Sequence, residues 1–331
     1  MFIAFKPCYD AVIPNYFSGI GIMYLQKTIK AAVKCNGIGL HTGRKVNMTI
    51  RPAEVDEGVV FYRNDLSENN EIKAELNNVS DTTLATTIGM NGTRVSTVEH
   101  LLSAFSGMGI NNAIVEIDSF EIPVMDGSAL PFVELLNKVG VMVQNKPKKL
   151  LVVEKPVSVS DGTGKAMFIP SSEFKITYDI DFDHPVVGKQ SYHMTFSPDI
   201  YEKYICPART FGFLRDVEYL QAKGLALGGS LNNAVVLDDE KIINKEGLRF
   251  PDEFVKHKIL DAIGDLFLLG MPIIGHFMAY KSGHKLNNLL LKELLAHEEC
   301  WKVVHYLNGE ERNETIDASF PHYSVYATSV R

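Results

Sequence analysis

The chain has 331 residues, with 33 Lys and Arg against 40 Asp and Glu, a formal net charge of −7, and 46% hydrophobic and 22% charged residues. This is the composition of a globular protein long enough for two domains. An acidic balance without any run of Lys or Arg excludes an electrostatic footprint for nucleic acid or for an anionic membrane surface. Cys8, Cys35, Cys206 and Cys300 lie too far apart for a zinc knuckle or a disulfide framework, which points to a reducing cytoplasm. No apolar run approaches the ~18 residues of a membrane span, so no stable membrane insertion is expected.

Residues 1–22 are apolar in flavour, but Pro7, Asp10 and Pro14 interrupt them and no apolar centre precedes a cleavage site. They read as an extension or a misassigned start, with Met23 the expected beginning. Residues 27–63 read as strands, with period-two alternation in Val46-Asn-Met-Thr-Ile50 and in Val59-Val-Phe-Tyr62. Ser96 then opens a helix carrying Val98, Leu101, Leu102 and Phe105, with Gly107 as its stop. A strand over 113–117 and a helix over about 130–138 follow. Gln144-Asn-Lys-Pro-Lys-Lys149, polar and broken by a proline, is the expected linker.

The second half repeats the order. Strands are expected over 150–159, 166–169, 174–180 and 192–196, then a helix over about 252–269 ended by Gly270 and Pro272. A strand over 273–280 and a last helix over about 286–298 complete it. Residues 206–250 form an insertion that the first half lacks. The predicted fold is α+β: two similar domains, 23–146 and 147–306, each a β-sheet packed on a pair of helices. The helical layers would face each other across the active site, and 307–331 would be a loosely attached tail.

His257, Asp261 and Asp265 fall four residues apart, in one stripe along a helix whose remaining surface is largely apolar. This is either an amphipathic surface helix with a chance histidine or two ligands of one cation. Ser96-Thr-Val-Glu99-His100 occupies the matching place in the first half. Ser96-x-x-Glu99 has the form of a capping box, and His100 has the form of an ordinary core histidine. If the matching helices face one another, however, His100, His257 and Asp261 make a three-ligand site, the number a catalytic zinc uses beside an open position. Glu99 would then stand beside a metal-bound water as its base. His284, at the turn into the last helix, is either a capping residue or the acid for a departing amine, with Asp265 holding it protonated. A purely structural zinc is disfavoured, because such sites are usually closed and rich in Cys.

These residues, with Gly37-Ile-Gly-Leu-His-Thr-Gly43, Glu121-Ile-Pro-Val-Met-Asp-Gly-Ser128, Ala208-Arg-Thr-Phe-Gly212, Gly228-Gly-Ser230 and Ser282-Gly-His284, resemble the UDP-3-O-acyl-N-acetylglucosamine deacetylases. Those enzymes are the zinc amidases of lipid A biosynthesis in Gram-negative bacteria. The resemblance runs from about residue 23 to 301, and its motifs are specific when taken together and in order. It implies a cytoplasmic enzyme that removes acetate from a nucleotide-linked glycolipid precursor; a monomer is expected, and the acidic balance argues against a nucleic-acid partner. It implies one catalytic Zn2+ on His100, His257 and Asp261, a position where Fe2+ also fits. Glu99 becomes the base, His284 the assisting histidine with Asp265 its partner, and Thr210 the group that polarises the carbonyl. Lys258 and Lys281 fall on the diphosphate side and Phe182 on the uracil. The insertion becomes a passage for the fatty acyl chain, with Phe211, Leu214, Val217, Ala226, Gly229 and Val236 among the residues expected to contact substrate.

Overall fold

The computed structural model describes residues 24–307 and 310–313. The expectations for residues 1–22 and for the chain beyond 313 lie outside the described residues.

The first half is built on a five-stranded sheet. Its strands are β2 (Val33–Ile38), β3 (Lys45–Pro52), β4 (Val59–Arg63), β5 (Glu71–Lys73) and β9 (Ala113–Ile117), in the order β2-β3-β9-β4-β5. Along β3 the side chains of Val46, Met48 and Ile50 are buried while Lys45 and Asn47 are exposed, the alternation of a sheet with one covered face. Strands β4 and β9 run parallel, so the chain must cross over between them. The crossover carries a small three-stranded sheet, β6 (Val79–Asp81), β7 (Thr87–Met90) and β8 (Thr93–Val95), and then helix α1 (Glu99–Met108). Helix α2 (Leu130–Val139) follows β9.

The second half has β11 (Leu150–Val153), β12 (Val157–Ser160), β13 (Lys165–Ile169), β14 (Phe174–Asp181), β15 (Lys189–Thr195) and β18 (Ile273–Tyr280). Its sheet contains the run β12-β13-β18-β14-β15, in which only β14 and β18 are parallel. This is the strand order and polarity of β2-β3-β9-β4-β5, so the repeat expected from element order extends to strand pairing. The crossover from β14 to β18 contains β16 (Phe211–Phe213), helix α3 (Leu214–Ala222), β17 (Val235–Leu237) and helix α4 (Glu253–Phe267). Helix α5 (His284–Ala296) comes after β18 as α2 comes after β9.

The helices meet between the sheets. Helices α1 and α4 approach so closely that a Cβ on Gly264 would lie 1.9 Å from the Glu99 carbonyl oxygen. Phe105 and Phe267 stack across the same seam, ring centroids 6.5 Å apart. Helix α4 is therefore not a surface helix: Glu253, Lys256, His257, Asp261 and Asp265 are buried along with its apolar residues.

Four expectations need correction. Gly107 does not end α1. The stop is Gly109, left-handed at φ 69°, whose N–H reaches the carbonyls of Phe105 and Ser106. Gly107 is small because a Cβ there would lie 2.1 Å from the Tyr201 ring. The expected linker is largely a strand, β10 (Val141–Pro147), paired antiparallel with β1 (Leu25–Ile29). The strand β19 (Trp301–Leu307), not anticipated, pairs with β11 and buries Val303 and Val304. It pairs in turn with β20 (Glu310–Asn313), so ordered sheet extends into the expected tail.

Candidate active site

Helix α1 places His100 in its first turn, and α4 places His257 and Asp261 one turn apart. The close approach at Gly264 turns the three toward a common point: their ligand atoms all lie within 4.8 Å of one another, and all three residues are buried. Asp261 Oδ1 stands 3.4 Å from His100 Nε2 and 3.3 Å from His257 Nε2. The outer contacts suit a metal. His257 Nδ1 lies 3.1 Å from the Ala208 carbonyl, so it donates there and leaves Nε2 with a free lone pair. Burial lowers the His257 pKa to about 4, and the residue is neutral, as a ligand must be. Lys258 Nζ donates to Asp261 Oδ2 at 2.8 Å, leaving Oδ1 facing the histidines. Burial opposes ionisation of Asp261, but His257 and Lys258 outweigh it and hold the carboxyl well below its usual range. Two imidazoles and a carboxylate oxygen fit zinc, with room for a fourth ligand.

Glu99 is 3% exposed. It does not form the capping box: the residue before α1 is Val98, with no side-chain cap, and Ser96 is drawn into a bridge with Glu121. Instead Glu99 Oε2 accepts the Thr86 N–H at 3.0 Å, and Oε1 faces His284 Nε2 at 3.9 Å. Burial raises the Glu99 pKa, and the neighbouring histidines only partly offset this.

His284 begins α5 without capping it; Gly283 precedes the helix and makes no side-chain bond. Its Nδ1 lies 2.9 Å from Asp265 Oδ2, which also accepts Asn287 Nδ2 at 2.8 Å. Burial alone would lower this imidazole's pKa, but the Asp265 and Glu99 carboxylates prevail and raise it to about 9. A buried carboxyl and a histidine whose protonated form is favoured thus stand face to face.

Thr210 lies in the segment between Ala208 and Phe211, both of which touch His257. Its backbone donates to Gly127 O at 2.7 Å and accepts from Val235 at 2.8 Å, which fixes the residue without using its hydroxyl. Phe211 lies edge-on to His257, with ring centroids 6.2 Å apart, and to Phe182 at 5.5 Å. Phe182 also meets Phe213 at 5.9 Å, so an aromatic run leads from the site to the insertion. Lys281 lies farther out, paired with Asp181 at 3.1 Å. Lys258 Nζ is bonded to Asp261, and its side chain is partly exposed.

In the insertion, α3 buries none of its residues. Leu214 is 49% exposed and Val217 half-buried, leaving an apolar helix face uncovered. Ala226 and Gly229 belong to a loop clamped by the 37–43 motif, and Val236 lies in β17, half-buried beside buried Val235 and Leu237. The clamp is made by backbone: Leu227 N–H reaches His41 O at 3.1 Å and Gly228 N–H reaches Leu40 O at 3.0 Å. A Cβ on Gly228 would lie 2.2 Å from Gly39 O, so only glycine allows this approach. Buried Glu121 holds the other side, accepting the His41 and Thr42 N–H groups at 2.7 and 2.9 Å. Sequence reasoning missed the roles of Thr86, Ala208, Glu121 and Asn287, because each acts through a long-range contact with no local spacing signal.

The UDP-3-O-acyl N-acetylglycosamine deacetylase family matches residues 26–296. A UDP-3-O-acyl-N-acetylglucosamine deacetylase from Syntrophus aciditrophicus is 63% identical over 289 residues, 87% of this chain and 92% of the relative. Enzymes of the same name from Teredinibacter turnerae and Haemophilus influenzae are each 51% identical, over 90% and 87% of this chain and 98% and 96% of their own lengths.

Proposed function

The chain belongs to the UDP-3-O-acyl N-acetylglycosamine deacetylase family, and on that premise we propose that it hydrolyses the N-acetyl group of UDP-3-O-acyl-N-acetylglucosamine. The products are UDP-3-O-acyl-glucosamine and acetate, a step of lipid A biosynthesis. The observation that carries this reading is the buried Glu99, next in sequence to one of the three converged donors of His100, His257 and Asp261, with its Oε1 3.9 Å from the Nε2 of His284.

Zinc at those three donors would bring the pKa of a water toward ~7 and polarise the amide carbonyl. Glu99, with Oε2 occupied by the Thr86 N–H, uses Oε1 to take a proton from the attacking water. The Thr210 hydroxyl donates to the carbonyl oxygen as negative charge develops there. His284, protonated at neutral pH, gives its proton to the amine nitrogen as the C–N bond breaks. Lys258 holds Asp261 in its orientation. Phe182 and Lys281 remain the contacts toward the nucleotide, and the uncovered apolar face of α3 with Ala226, Gly229 and Val236 takes the acyl chain. Each buried methylene contributes about 0.8 kcal/mol to that binding.

We read 23–146 and 147–306 as the two domains, with 206–250 inserted in the second. Among the described residues no helix is long and apolar enough to cross a membrane; a substrate built on a uridine nucleotide supports a cytoplasmic enzyme, which we read as a monomer. Two histidines and a carboxylate accept ferrous iron as well as zinc. Metal analysis of protein purified without oxygen identifies the ion, and acetate release is then measured after chelation and re-addition of each metal. Metal-loaded protein that releases no acetate from this substrate while deacylating another N-acyl sugar would refute the substrate assignment.

A further inference from the structure

Thr86 lies in the segment between β6 and β7 and is 2% exposed. Three of its polar groups are engaged, and two of them reach opposite sides of the reaction centre. Its N–H donates to Glu99 Oε2 at 3.0 Å, and its hydroxyl donates to Asp265 Oδ1 at 2.6 Å. Its carbonyl accepts the N–H of Val98, the residue that precedes α1. Glu99 comes from the first half of the chain and Asp265, the partner of His284, from the second.

We propose that Thr86 is the positioning residue that sets base against acid, one residue bonded at once to the Glu99 carboxylate and to the carboxylate that orients His284. The proposal rests on Glu99 and His284 as the proton-transfer pair. The backbone N–H is available from any residue but proline at this position; the hydroxyl is not. It gives Asp265 Oδ1 its short donor, leaving Oδ2 to His284 Nδ1 and Asn287 Nδ2. Without it, Oδ1 is a buried acceptor with only the longer 3.2 Å contact to His284. The carboxylate then gains by rotating, and the imidazole it carries turns away from Glu99.

Thr86→Val keeps the shape and removes the donor. In the metal-loaded protein kcat is expected to fall toward the ~10²-fold that a misplacement of about 1 Å costs, with KM and metal content unchanged. Thr86→Ser is expected to restore turnover. Because Thr86 acts through Asp265, the penalty of Thr86→Val should disappear in an Asp265→Asn background, the non-additivity of a shared path. A Val variant with parental kcat, or the same fractional loss in both backgrounds, overturns the proposal. If the Val variant does not fold, Thr86→Ser decides: large loss of kcat despite the retained hydroxyl also overturns it. Glu99→Gln and His284→Gln in parallel separate the two levels. If either turns over like the parent, the proton-transfer reading itself fails, whatever Thr86 does.

Discussion

Gly264→Ala places one methyl group where the two halves touch. The new Cβ would lie 1.9 Å from the Glu99 carbonyl oxygen and 2.7 Å from its carbon, and side-chain carbons essentially never come closer than 3.0 Å to a neighbour. The oxygen belongs to helix backbone, so the helices must separate locally by at least 3.0 − 1.9 = 1.1 Å. Alanine in place of a mid-helix glycine would by itself stabilise by roughly 1 kcal/mol, while overpacking costs about 1–3 kcal/mol; the balance is neutral to mildly destabilising, and the protein should fold. The larger effect falls on the site. Gly264 lies three residues beyond Asp261, and Glu99 adjoins His100, so the shift enters directly between two proposed ligands now 3.4 Å apart. Metal sites tolerate about 0.2 Å in donor distance, and about 1 Å of misplacement costs on the order of 10² in rate. Zinc affinity measured by competition with a chelator should therefore drop at least tenfold, and turnover at saturating zinc by ~10², with little change in melting temperature. Parental zinc affinity together with parental turnover would refute the claim that this contact sets the ligand geometry.

Glu99→Gln should retain metal and fold, since its amide oxygen can still accept the Thr86 N–H, yet lose on the order of 10²–10⁴ in kcat; near-parental turnover would remove Glu99 as the base. Because His284 is raised to about 9 and must carry its proton to act, activity should fall as pH rises through about 9. Asp265→Asn removes a carboxylate that raises this pKa, so the alkaline limb should move down toward ~6.5 or lower, and an unmoved limb would assign it to another group. Linkage has the same sign: stability from protonated His284 is complete below about 6.5 and lost as pH rises through about 9. Ala226→Trp, if folded and metal-loaded, should penalise long acyl chains more than short ones; deacetylation rates across a chain-length series that match the parental profile would argue against the passage.

The stripe of His257, Asp261 and Asp265 was legible because i, i+4 spacing survives whatever surrounds a helix. Periodicity could not reveal that α4 is buried nearly all round. That depends on partners for each polar residue, such as Asp252 for Lys256 at 2.7 Å and Lys258 for Asp261. The capping-box pattern at Ser96 was a local signal overridden by a distant one, the bridge from Ser96 to Glu121 and the bond from its N–H to Phe120 O. Residues 144–147 looked like linker because their strand partner, β1, lies more than a hundred residues earlier in the chain. Thr86 sits in Asp81-Thr-Thr-Leu-Ala-Thr-Thr87, where nothing distinguishes one threonine from its neighbours until Asp265, 179 residues away, is brought beside it.

The repeated strand order carries a consequence for how this protein fails. In each copy the helix that connects the parallel pair faces its counterpart, but the two copies have divided the labour unequally. On the proposed assignment the first offers one donor and the base; the second offers two donors, the acid and the acid's partner. Neither holds a usable set, so the catalytic centre exists only as long as the copies stay docked. A substitution that loosens the packing of Phe105 on Phe267 touches no substrate, and yet it would be felt as lost activity before it was felt as lost fold.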